Sequence, residues 1–349
     1  MPIDINALAD QIALEIADYR EGEIARPDRN HVLRWVNQFD PIARGLILQE
    51  TAHFLGRRYA SKANVHEFIN ALVQHNDLTG VDQRAFWSGV GFLRLQQRSQ
   101  SQRDMLAILS GILEQRFGFR ADRQISENRN YVYIDDGIFS GRQIRSEIIR
   151  WVRDNDIRDC KVHIIVIGMH KNGYWYTNKK INEDVSGRNV NVRWWRALEI
   201  EDWKKPDTVN TVSVLWPRQV PDNQYVQQWQ QLCPEDARHF NPRPASTANN
   251  PNFASEAGRE MLEEHFLIKG AFIRSICRNP ADAMRPLGYH SLHGAGFGTL
   301  FATYRNCPNN CPLVLWWGNP TGDRPLNQWY PLLPRRTRAY NWGADFEDF

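Results

Sequence analysis

Residues 131–144 read YVYIDDGIFSGRQI. A short apolar run ends on two adjacent carboxylates, Asp135 and Asp136, and the backbone is then broken by Gly137 and by Ser140-Gly141. Ionised carboxylates only accept hydrogen bonds, so a pair of them at one strand end suits the two vicinal hydroxyls of a ribose. Ser140, Gly141 and the first amides of a following helix suit a phosphate, because glycine admits a close backbone approach and a helix start presents unpaired N–H groups. A sugar flanked by a phosphate is the ligand these residue types ask for. Ser140 and Gln143 also have a ligand-free explanation, a Ser-x-x-Gln capping box, which leaves the two acids unexplained.

The elements that hold this stretch follow from periodicity. Ile144, Ile148, Trp151 and Val152 share one helical face, and the uninterrupted apolar run VHIIVIG at 162–168 follows as a strand. Strand, loop, helix and strand fit the roughly 30 residues of a βαβ unit, and the apolar second strand suits a parallel sheet covered on both faces. The pattern also occurs upstream. Phe92, Leu93 and Leu95 form a short β-like run, the polar loop Arg98-Ser99-Gln100-Ser101-Gln102 follows, and Met105, Leu106, Ile108, Leu109, Ile112 and Leu113 give a helix an apolar face. VNVRWW at 190–195 and TVSVLW at 211–216 add two strand candidates. The expected fold is α/β, with a mostly parallel sheet of about five strands.

Around that core the chain divides into three consecutive segments. Residues 1–85 read as a helical region, with Ile5, Leu8, Ile12 and Ile16 at helical spacing and Pro27 and Pro41 as punctuation. Residues 86–240 hold the α/β core, and NPRPASTANNPNFAS at 241–255 reads as a linker or long loop. Residues 241–349 are an irregular α+β region, rich in Gly, Pro and Asn, offering a partner or substrate surface.

At 349 residues, 42% hydrophobic and 24% charged, the composition is that of a globular protein. No run reaches the ~18 apolar residues of a membrane span, and the N-terminus lacks a basic and then apolar signal region. Five cysteines are too few and too odd in number for a disulfide framework, so reduced thiols and a cytoplasmic location are expected. All but eight of the 43 basic residues are arginine, the better bidentate ligand of phosphate, although a genomic base-composition bias gives the same preference.

Residues 131–143 resemble the ribose-phosphate signature of type I phosphoribosyltransferases: four apolar residues, two acids, two mostly apolar residues, and a short Ser/Gly loop opening a helix. The resemblance implies that Asp135 and Asp136 hold the ribose hydroxyls of phosphoribosyl pyrophosphate and its Mg²⁺, and that Phe139 to Gln143 wrap the 5′-phosphate. It also implies a pyrophosphate loop at the earlier strand-to-helix junction, at Arg98, Ser99, Ser101 and Gln102. Phe139, Arg142 and Gln143 stand where that family carries small or hydroxylated residues. The stretches WVNQFD, SQSQ and GFGTLFATYRNCPNNCPLVLWW are similar to phosphoribosyltransferase-like effectors of bacterial conflict and antiphage systems, some encoded beside retrons. That similarity implies a toxic effector kept silent by protein, reverse transcriptase or nucleic-acid partners, with oligomer formation possible and no membrane role.

Two further readings are open. The same pocket would serve a module that senses a nucleotide without turning it over. His290, His293, Cys307 and Cys311 offer four zinc ligands at irregular spacing, and Trp194-Trp195 and Trp316-Trp317 offer either base-stacking faces or core rings. The tail from Arg335 to Phe349 joins a basic cluster to an acidic end, as a solvated tail or a partner contact.

Overall fold

The computed structural model describes residues 3–96, 100–232, 240–290 and 294–335. The chain opens with helices α1 (Ile5–Glu15), α2 (Arg29–Val36) and α3 (Arg44–Arg58), then the two-residue strand β1 (Tyr59–Ala60). Asp4 caps α1 by accepting from the amides of Asn6 and Ala7, and Ala9, Ile12 and Ala13 face inward at helical spacing. The middle of the chain runs α4 (Lys62–Val73), α5 (Asn76–Thr79), α6 (Gln83–Gly89), β2 (Gly91–Phe92), α7 (Gln100–Phe117), β3 (Asn130–Ile138), α8 (Arg142–Asp154), β4 (Cys160–His170), α9 (Lys171–Asp184) and β5 (Val190–Ile200). The last part supplies α10 (Gln224–Leu232), α11 (Glu256–Ile276), β6 (Ala302–Thr303) and α12 (Leu313–Trp316).

These elements form two compact units that do not follow the three consecutive segments drawn along the sequence. One unit joins Met1–Ser61 to Glu201–Phe349, and the other is the uninterrupted stretch Lys62–Ile200. In the first, Ile47, Leu48 and Phe54 of α3 share a core with Phe266 and Leu267 of α11 and with Leu313 to Leu315, while β1 pairs in parallel with β6.

The second unit carries the sheet. Its strands lie in the order β2-β3-β4-β5, all parallel, with Asp135 opposite Val166 and His170 opposite Ile200. Among the described residues this sheet has four strands, as expected for an α/β chain but one fewer than the sequence offers. Val162 and Ile164 to Ile167 of β4 are buried without alternation, as a strand covered on both faces requires. Ile144, Ile148 and Val152 make the buried stripe of α8, each contributing about 1.5–3 kcal/mol by leaving water. Because the strands are parallel and in register, α8 and α9 both begin at the carboxyl edge of the sheet, where ligands of open α/β folds collect.

One expectation is corrected here. TVSVLW at 211–216 is buried from Val212 onward but pairs with no strand among the described residues: Ser213 N donates to the Glu201 carbonyl, Leu215 N to that of Gly298 and Trp216 N to Glu263 Oε1. The segment 241–255, read as a linker or long loop, is a loop fastened within the first unit. Arg243 pairs with Glu263 at 2.9 Å, Asn250 donates to the Val212 carbonyl at 2.7 Å, and Glu50 accepts from the amides of Ala254 and Ser255. Its Asn and Ser residues satisfy buried backbone groups of neighbouring segments, which is why a polar, Pro-containing stretch lies inside a unit. Among the described residues no helix is long and apolar enough to cross a membrane.

Candidate functional site

Strand β3 delivers the two acids to the carboxyl edge of the sheet and separates them by its alternation. Asp135 is buried at 5% exposure, whereas Asp136 is half-buried. Four donors of this chain converge on Asp135. Its Oδ1 accepts from Ser101 Oγ at 2.5 Å and from Asp136 N at 2.8 Å; its Oδ2 accepts from Gln96 Nε2 at 2.8 Å and from the Tyr133 hydroxyl at 3.1 Å. Ser101 of α7 and Asp135 of β3, far apart in sequence, are thus brought into direct contact.

The network continues into α8. The Tyr133 hydroxyl, which accepts from Gln96 Nε2 at 2.5 Å, lies 3.4 Å from Glu147 Oε2, and Gln143 Nε2 donates to Glu147 Oε1 at 3.1 Å. Burial raises the Glu147 carboxyl above the usual carboxylate range; the hydrogen bond from Gln143 works against that rise and the charge of Asp135 adds to it. Burial also holds the Tyr133 phenol well above its ordinary value, helped by the charges of Asp135 and Glu147. Gln96, Tyr133 and Glu147 are site residues that sequence reading missed.

The loop Phe139–Gly141 turns from β3 into α8. Gly141 is the residue before the helix, in the left-handed region at φ +69°, and no side chain caps the helix. The Ser140–Gln143 capping box is therefore not formed. Ser140 Oγ reaches only Arg142 N, at 3.4 Å, and Gln143 turns to Glu147. A Cβ on Gly141 would run into Thr177 Oγ1, and one on Gly173 would run into the Phe139 carbonyl, so the loop and the start of α9 approach at a distance only glycine allows. The first turn of α8 carries no acid but does carry exposed Arg142, a cation at the positive end of a helix dipole. An uncapped helix start with an arginine on it gathers positive charge and unpaired backbone N–H donors.

The remaining expected residues are placed as follows. Gln102 is buried, its Oε1 accepts from Gln96 N at 3.0 Å, and its Nε2 has no partner among the described residues. Arg98 and Ser99 lie outside the described residues, as does His293. Cys307 and Cys311 are core residues of the first unit. Cys311 Sγ donates to the Phe301 carbonyl at 3.0 Å, and burial holds the Cys307 thiol well above its ordinary value, the reverse of what a thiolate ligand needs. Among the described residues no group of three or more His, Cys, Asp or Glu side chains is arranged to hold a metal ion. Trp316 and Trp317 are buried core rings; Trp194 and Trp195 spend their indole N–H groups on Asn178 and His163.

A parallel sheet, an acidic pair at the end of an inner strand and an uncapped helix start beyond it define a phosphoribosyltransferase-like protein. The PRTase-CE family matches residues 32–335, and the chain belongs to that family. No curated protein and no solved structure matches the chain.

Proposed function

We propose that the chain binds phosphoribosyl pyrophosphate or a related nucleotide at the carboxyl end of β3, and that it acts as a toxic effector in a bacterial antiphage system. The observation that carries the ligand reading is the junction itself: half-buried Asp136 at the strand end, followed by the uncapped α8 start with Gly141 and Arg142. Asp135 and Asp136 accept hydrogen bonds from the ribose hydroxyls, Asp136 from the more open side and Asp135 from the buried side, and Ser140 to Gln143 take the 5′-phosphate. Ser101 and Gln102 face the pyrophosphate, and the Nε2 of Gln102, with no partner among the described residues, is a donor in need of such an acceptor; the sequence also assigns that role to Arg98 and Ser99.

Mg²⁺ fits this site in one way. Magnesium is commonly held by one or two carboxylates together with substrate phosphates; Asp136 would supply the first, and Asp135, whose oxygens accept four hydrogen bonds from the chain itself, would join it only by giving one of them up. When bound, the ion neutralises charge on the departing diphosphate. In transfer, the bond from the anomeric carbon to the pyrophosphate oxygen breaks with its electron pair leaving on pyrophosphate, and a nucleophile bonds to that carbon. The chain's part is to orient the sugar and to present amides to the phosphates.

Calorimetry with phosphoribosyl pyrophosphate and Mg²⁺ tests the reading. Wild type should give a saturable signal and Asp136→Asn should lose at least tenfold in affinity, the weight of a charge-assisted hydrogen-bond pair; equal binding by both sinks it. The effector role rests on the similarity of the flanking stretches to conflict effectors, and growth arrest on expression that disappears with Asp136→Asn is its expected signature. Protein, reverse transcriptase or nucleic-acid partners belong to that same reading. A second reading, a nucleotide sensor without turnover, is favoured by the saturation of Asp135 with the chain's own hydrogen bonds. Release of pyrophosphate that depends on Asp136 excludes it.

A further inference from the structure

A carboxylate has about four acceptor positions, and all four on Asp135 are taken. The four donors are not equivalent. Asp136 N and the Tyr133 hydroxyl belong to β3 itself and travel with the acid. Ser101 Oγ, at the start of α7, and Gln96 Nε2, just after β2, come from a different part of the sheet edge, one on each carboxylate oxygen. One donor on each oxygen is also how a vicinal diol meets a carboxylate. The two outside donors are linked, because Gln96 N is held by Gln102 of α7 next to Ser101.

We infer that Ser101 and Gln96 are intramolecular competitors for Asp135, standing where ligand hydroxyls would bind, so that the described state is a self-occupied one and a ribose ligand must displace them. The inference rests on the sugar-phosphate reading of the site and adds regulation to it. It also reverses the sign expected for Ser101: a residue facing the pyrophosphate helps binding, whereas a competitor hinders it. When only a fraction of molecules is free to bind, the apparent dissociation constant is the intrinsic one divided by that fraction, so removing a competitor tightens binding without adding a contact.

Calorimetry in Mg²⁺ on wild type, Ser101→Ala and Gln96→Ala, each with a thermal melt, decides the matter. Each variant should melt below wild type, having lost a hydrogen bond to a buried acid, and yet bind phosphoribosyl pyrophosphate about 3–10-fold more tightly, a modest share of what a charge-assisted hydrogen bond controls. The tightening should recur with ribose 5-phosphate and shrink with 2-deoxyribose 5-phosphate, which lacks one of the displacing hydroxyls. Equal or weaker binding by both variants overturns the inference and leaves Ser101 as a structural or direct ligand residue. If one variant fails to fold, the other carries the same test. Absence of binding by wild type and by both variants brings down the sugar-phosphate reading itself, and the inference with it; loss of binding in Asp136→Asn with no tightening in the two variants removes the inference alone.

Discussion

His163 of β4 shows how far the interior of the sheet unit sets the chemistry of a single side chain. Its Nδ1 accepts from the Trp195 indole, which can only donate, so the ring proton sits on Nε2 and is given to Asn130 Oδ1 at 3.1 Å. Burial, with Lys161 and Arg193 adding like charge, pushes its pKa down to about 4. The unfolded chain takes up this proton first, near the ordinary histidine value of about 6.5, so the stabilisation is complete above that pH and is lost as pH falls toward about 4. The loss is on the order of 3 kcal/mol, and denaturant titrations at pH 7 and pH 4.5 should show a clearly smaller drop for His163→Asn than for wild type. Glu147 works with the opposite sign. Its folded pKa is raised, so its penalty is present at neutral pH and is relieved as pH falls through the folded value to the ordinary carboxylate range; Glu147→Gln should melt higher than wild type at pH 8, with the gap narrowing as the pH is lowered. Asp135 and Asp136 stood out in the sequence because two adjacent acids are unusual at the end of an apolar strand. Tyr133 and Glu147 left faint signals, the first two residues before Asp135 on the same strand face and the second one helical turn after Gln143. Gln96 left none, since it is 39 residues away from the carboxylate it binds.

At the scale of the element, the β3–α8 junction is built around glycines that cannot be replaced, and Gly141 is the decisive one. Alanine there pays about 1–2 kcal/mol for the left-handed backbone. Its Cβ also meets Thr177, and overpacking of this kind costs a further 1–3 kcal/mol or so. Gly187 has a similar φ of +81° but open space around its would-be Cβ, so Gly187→Ala isolates the backbone cost. Chemical denaturation should find Gly141→Ala less stable than wild type by about 2–4 kcal/mol and Gly187→Ala by about half of that, and only the former should lose phosphoribosyl pyrophosphate binding. The strand-loop-helix-strand order from 131 to 168 was readable because α8 repeats its apolar residues at helical spacing and β4 is apolar throughout. TVSVLW has a strand's composition and is no strand: Val212 to Trp216 are all buried, Ser213 included, and an apolar run reports burial and says nothing of what the backbone pairs with. Likewise Asn250 and Asn252 look like loop residues in sequence and act as hydrogen-bond bridges to the 209–212 turn.

At the scale of the whole molecule, the division into units is set by contacts that no local window of sequence contains. The stretch Lys62–Ile200 is continuous, has its own sheet, and has a core in which Leu93, Tyr133, Ile144, Ile148, Val162 and Ile164 meet. Its 139 residues fall in the range where a single hydrophobic core sustains a domain. The other unit is made of two distant pieces that need each other. Trp35 of α2 donates its indole N–H to the Val314 carbonyl at 2.9 Å and stacks edge-on against Phe266, and the Tyr19 hydroxyl accepts from Cys307 N while lying 3.2 Å from the Leu333 carbonyl. Residues 201–349 alone would therefore expose the apolar face that α1 to α3 cover, and exposed faces of that kind lead to aggregation rather than folding. A fragment of residues 62–200 should melt in one cooperative transition and keep the heat of phosphoribosyl pyrophosphate binding, because β3, α7 and α8 are all in it. The 201–349 fragment should show neither a cooperative melt nor a defined near-ultraviolet dichroism spectrum until residues 1–61 are supplied with it. A gradual, non-cooperative melt of the 62–200 fragment would mean that the sheet unit draws its stability from outside its own core, and that the candidate site is not a property of this unit alone.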